Sequence, residues 1–181
     1  MAGKIFMSDR KHAGTERILP VRILSLFLVL VLTAGLTACG GSGDSGKDLD
    51  LEEMLTKIQE EESSLPEMET IKASDDNAEI NFSVLCDFEY KDIADYIYTY
   101  AKDGTASELS IIRLKDASDA SYLMSSLKDH IASRRETMRN YSPDQVDMVD
   151  SYVLVNEGAY VGLFISQHNG SMQKVFQEFF K

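Results

Sequence analysis

The chain has 181 residues, 44% of them hydrophobic, and 18 Lys+Arg against 30 Asp+Glu give it a formal net charge of −12. That length suits one domain, and that hydrophobic fraction suits a globular one. The acidity argues against nucleic-acid binding, which depends on neutralising phosphates with Lys and Arg, and two cysteines cannot build a disulfide framework.

The charge is unevenly spread. Residues 1–38 hold Lys4, Arg10, Lys11, Arg17 and Arg22 against Asp9 and Glu16, a net +3, so the remainder carries −15 (−12 less +3). Ile23 to Ala38 is uncharged and closes on Leu36-Thr37-Ala38-Cys39. A basic flank, a short apolar run and small residues at its end describe a secretory signal peptide over 1–38, with Met1 or Met7 as its start. The run falls short of the roughly 20 apolar residues that a permanent span requires. Leu36-Thr37-Ala38-Cys39 also resembles the bacterial lipobox. That resemblance implies cleavage before Cys39 and its acylation, palmitate included. Two or three acyl chains would then hold the protein on the outer face of the cytoplasmic membrane.

Residues 39–48 read as the lipidated cysteine and a Gly/Ser tether. The formal Gly41-x-Gly43-x-x-Gly46 match to a dinucleotide fingerprint follows no strand and is discounted. Residues 49–181 form a single domain of about 130 residues, enough for one core that buries roughly two-thirds of the unfolded surface.

An amphipathic helix opens the domain over 49–62, with Leu51, Met54, Leu55 and Ile58 at helical spacing and Asp50 with Glu53 as its cap. Residues 72–79 are polar and read as loop, and Ile80 to Cys86 as a strand or a turn of helix. Ala94 to Tyr100 alternates as a half-buried strand, with Tyr96, Tyr98 and Tyr100 on one face. Leu109 to Leu114 is apolar on both faces, as in a central strand. Asp116 caps a long helix with an apolar stripe of Ala120, Leu123, Met124, Leu127, Ile131 and Met138, closed by Tyr141-Ser142-Pro143. Pro143 opens a short helical turn. Tyr152 to Val155 and Ala159 to Ser166 form a hairpin around Asn156-Glu157-Gly158. Met172, Val175, Phe176, Phe179 and Phe180 mark a C-terminal amphipathic helix. The expected fold is α+β: an antiparallel sheet of about four strands with helices packed on one face, one long central helix and a terminal helix.

Several of these pieces together resemble a known family. They are Leu65-Pro66-Glu67-Met68, Glu108 to Asp116, the long helix ending in Tyr141-Ser142-Pro143, and Gly158-Ala159-Tyr160-Val161. The chain is similar to small lipoproteins of Gram-positive anaerobes catalogued as domain of unknown function four-three-five-eight, over about residues 49–181. The resemblance implies a Gram-positive cell surface and an α+β fold. It brings no catalytic or binding residues.

The residues themselves supply little chemistry. His130 and His168 lie on different elements and outside any zinc pattern, so no metal or cofactor is expected. Asp75-x-Asn77-x-Glu79-x-Asn81 fails as a calcium loop, because Ile80 stands where Gly is needed and Cys86 where Glu is needed. Of the two Ser-x-x-Lys pairs, Ser125/Lys128 and Ser171/Lys174, only Ser171 falls at a helix start, where it reads as a cap. Cys86, among apolar neighbours, reads as a buried structural thiol. Two surfaces offer an interaction reading: the row Tyr96, Tyr98, Tyr100, suited to glycan or peptide contact, and Arg134, Arg135, Arg139, suited to an anionic wall polymer or lipid headgroup. The leading expectation is a non-enzymatic envelope binding module whose partner is a cell-wall polymer or another envelope protein. The rival is a small envelope hydrolase with dispersed Ser, His and acid residues, using His168 as its base.

Overall fold

The computed structural model describes residues 48–181. The expected signal peptide, Cys39 and all but the last residue of the tether lie outside the described residues.

Helix α1 (Leu51–Glu60) begins where the Asp50 carboxylate accepts the N–H groups of Glu52 and Glu53 at 2.9 and 3.2 Å, which satisfies two of the donors that a helix start leaves open. Strand β1 (Met68–Lys72) and helix α2 (Ala78–Leu85) follow, then β2 (Ile93–Ala101) and β3 (Glu108–Leu114). Asp116 caps a single 3-10 turn, Ala117–Asp119, which feeds the 22-residue helix α3 (Ala120–Tyr141). After Pro143 a further 3-10 turn leads into α4 (Val146–Asp150). The hairpin of β4 (Val153–Glu157) and β5 (Tyr160–Ile165) and helix α5 (Asn169–Glu178) complete the order. Gly158 takes φ +59 at the first loop residue of that hairpin, a conformation in which a side chain would be strained.

All neighbours in the sheet are antiparallel, in the order β1-β2-β3-β5-β4. The fold is therefore the expected α+β, with two corrections. The sheet has five strands, not about four. The additional strand is the edge strand β1, whose Met-Glu-Thr-Ile-Lys sequence gives Ile71 to the core and little else. The helices cover both faces rather than one. On one side α2 and α3 bury Phe82, Leu85, Leu123, Leu127 and Ile131 against Tyr96, Tyr98, Ile112, Val161 and Leu163. On the other, α1 and α5 bury Met54, Ile58, Met172 and Phe176 against Ile97, Leu109, Ile111 and Phe164. The reason lies in the central strands: β3 and β5 are apolar on both faces, and each face must be taken out of water.

The approach of α5 to β5 is set by a missing side chain. A Cβ at Gly162 would stand 2.8 Å from the Phe164 ring and 3.2 Å from that of Phe176. Gly162→Ala is expected to destabilise the protein by about 1–3 kcal/mol, the usual range for overpacking a filled core. Chemical denaturation checks this, and an unchanged midpoint would show that the two rings yield freely.

Candidate functional site

At one end of the sheet's central strand lies a carboxylate. Glu108 opens β3 with 0% of its side chain exposed, and it faces α3. A buried anion is tolerated only when paired and hydrogen-bonded. His130 donates from Nε2 to Oε1 at 2.6 Å. Arg134 brings Nε within 3.2 Å of Oε2, and its Nη2 donates to the Thr105 carbonyl at 2.8 Å. The Tyr98 hydroxyl donates to Oε2 at 3.3 Å. His130 and Arg134 stand four apart on α3, so one helix face presents both to the same acid. Burial raises the Tyr98 phenol far above its usual range, and the neighbouring Glu108 carboxylate raises it further.

His130 belongs also to a groove. The α3 residues Tyr122, Ser125, Ser126, Asp129, His130 and Ser133 face the end of α2 and the residues just after it, Ser83 to Asp87, around a volume of about 370 Å³. Their positions follow the 3.6-residue period of one helix face. Four serines keep this space open where larger side chains would fill it. The Ser126 hydroxyl donates to the Asp87 carbonyl at 2.9 Å and fixes one wall. Tyr122 leans on Phe88, ring centroids 5.4 Å apart, and forms the rim. A second groove, about 450 Å³, runs between the start of α1 and strands β2 and β3. Both of its cations are engaged, Lys72 with Glu52 at 2.7 Å and Arg113 with Asp48.

The second histidine also meets a buried acid. Glu62, just past α1, accepts from the Ser64 amide (3.1 Å) and hydroxyl (2.6 Å), the Ser166 hydroxyl (3.2 Å), the His168 amide (2.8 Å) and His168 Nδ1 (2.8 Å). Burial works to raise the Glu62 pKa, but these donors outweigh it and hold the group at about 2. The result is a clasp between the end of α1 and the start of α5, with the His168 imidazole 65% exposed. Among the described residues no serine hydroxyl bonds to either imidazole. Ser166 gives its proton to Glu62 and Ser171 donates to the His168 carbonyl, so Ser171 closes the first turn of α5 rather than acting as its cap residue. Nor do three His, Cys, Asp or Glu side chains converge as a metal would require, among the described residues.

The tyrosine row is not a contact surface. Tyr96 and Tyr98 are buried beneath α2 and α3, with the Tyr96 hydroxyl donating to the Ala78 carbonyl at 2.7 Å, and Tyr100 is partly buried against Tyr98. Alternation does put the three on one face, but that face is covered. The arginines part company as well: Arg134 turns inward to Glu108, Arg135 pairs with Asp150 at 2.5 Å, and Arg139 with Glu136 at 2.5 Å. Cys86 is buried, and desolvation pushes its thiol up to about 12, as an inert structural cysteine requires. Sequence reasoning passed over Glu108 and Glu62. The signal for Glu108 was a charged residue on the inward face of a strand that is apolar on both sides.

Glu108→Gln is expected to cost about 3–5 kcal/mol, because it removes the buried carboxylate that pairs with Arg134 and accepts from His130. A urea titration against wild type reads it, and a loss below about 1 kcal/mol would mean that the cluster is not held by charge. For Glu62 the pH dependence has a definite sign. A folded pKa of about 2 against the ordinary carboxyl value of 4.5 gives stability that is complete above pH 4.5 and lost as pH falls towards 2. Glu62→Gln is expected to flatten that acid limb of the stability profile. An identical limb in the variant would place the acid sensitivity elsewhere.

The sequence model of a family described as Domain of unknown function (DUF4358) matches residues 67–166. That stretch takes in all five strands, α2, α3 and α4, and with them Glu108, His130 and the serine-lined groove, while α1, α5 and His168 fall outside it. No curated protein and no solved structure matches the chain. With more than half its length matched, the chain belongs to the DUF4358 family.

Proposed function

We propose that the chain is an extracytoplasmic bacterial lipoprotein, anchored to the outer face of the cytoplasmic membrane through Cys39, whose domain is a non-enzymatic binding module of the cell envelope. The observation that carries this reading is the uncharged run Ile23–Ala38 behind a basic flank, closing on Leu36-Thr37-Ala38-Cys39 and followed at once by Gly/Ser. A Gly/Ser composition directly after Cys39 suits a spacer between an anchor and a domain. The −15 carried after residue 38 repels an anionic leaflet. Arg134, Arg135 and Arg139 are each engaged with a carboxylate, which favours another envelope protein over an anionic wall polymer as the partner. Cys39→Ser is expected to release the protein into the medium or to leave an unprocessed precursor. Normal membrane retention of a processed Cys39→Ser form contradicts the anchor.

A second reading, a small envelope hydrolase, is favoured by one observation. The Glu62 carboxylate holds His168 Nδ1 as the acid of an acid–base dyad holds its base. On the leading reading His168→Ala folds, localises normally and leaves the cellular phenotype unchanged. Loss of phenotype with fold and localisation intact moves the conclusion to the hydrolase.

A further inference from the structure

We infer that the groove between α2 and α3 is a docking site for a protein segment that carries apolar side chains flanking a Lys or Arg. The inference rests on the binding-module reading and names the chemistry of the partner. Among the described residues four large apolar side chains are exposed, and two of them line this groove from opposite walls, Val84 (69%) and Tyr122 (63%), while a third, Ile80 (66%), stands one turn before Val84 on α2. Exposed apolar side chains gathered at a concave site mark recognition rather than chance exposure.

The charge of the groove then selects the partner. Its lining includes two carboxylates, Asp87 and Asp129, and no Lys or Arg. Neither carboxylate has an ion-pair partner among the described residues. A cation entering between Asp87 and Asp129 supplies the missing charge. The exposed apolar walls, Val84 on one side and the Tyr122 ring on the other, suit the apolar side chains that flank the cation. Ser125 and Ser133 also line the groove and offer hydroxyls to the backbone of an extended segment. At about 370 Å³ the groove takes a short stretch of chain, as befits a transient contact and not a permanent interface.

The test uses the full-length protein in phosphatidylcholine nanodiscs, with fluorescence anisotropy of labelled synthetic peptides of equal length. One alternates Leu with Lys, one Leu with Glu, and one Ser with Lys, and empty nanodiscs give the blank. The Leu/Lys peptide is expected to bind saturably, and the other two are not. Val84→Ser and Tyr122→Ser are expected to weaken it at least about tenfold, and Asp129→Asn to abolish the preference for Lys over Glu. Tyr141→Ser, the same loss of exposed ring outside the groove, is expected to change nothing. Equal binding of the Lys and Glu peptides overturns the inference, as does wild-type affinity in the groove variants. Binding of a cationic chitosan oligosaccharide in place of any peptide overturns it too. Anchoring through Cys39 is read separately by fractionation. Groove binding without anchoring removes the anchor alone, and anchoring without groove binding removes this inference alone.

Discussion

The buried carboxylate of Glu108 sets the geometry on which the α2/α3 side of the molecule depends. An anion with no exposure to water survives in a folded protein only if neighbours supply the charge and hydrogen bonds that water would have supplied. Here those neighbours come from two elements, Tyr98 on β2 and His130 and Arg134 on α3, and Arg134 also reaches the β2–β3 loop at Thr105. The apolar stripe of α3 alone fixes which broad face meets the sheet. The two side chains that meet Glu108, His130 and Arg134, stand four apart and fix its rotation and its slide along β3.

That rotation has a functional consequence. With Leu123, Leu127 and Ile131 on the sheet and His130 on Glu108, the adjoining face of α3, running from Tyr122 to Ser133, must look towards α2. The serines on it are too small to close the gap, and a groove results. His130 is thus shared between the support and the site: its Nε2 is bound to the core and its ring lines the groove. The clasp of Glu62 on His168 does a comparable job on the other face, where it joins α1 to α5.

Local features were legible in the sequence because they depend on a few neighbouring residues. The Asp50 cap, the stripe of α3 and the Gly158 hairpin all follow from spacing and backbone chemistry. Strand β1 was hidden because an edge strand needs only one inward apolar residue, here Ile71, to hold its place. Coverage of both faces is implied by the two-sided strand β3, whereas the order of strands around one long helix and a terminal helix suggests a single covered face. The tyrosine row shows a different limit. Alternation correctly puts Tyr96, Tyr98 and Tyr100 on one face but cannot say whether a helix lies over it. The two buried acids needed partners 22 and 106 residues away, and nothing local announces such pairings.

The most direct measurement of this account is a double-mutant cycle between Glu108→Gln and His130→Asn, with stability read by urea unfolding. If Glu108 holds α3 in place through His130, the two substitutions are coupled by more than about 1 kcal/mol, the double variant losing far less than the two single losses together. Additivity within about 0.5 kcal/mol would contradict it, and would mean that α3 is positioned by its apolar stripe alone.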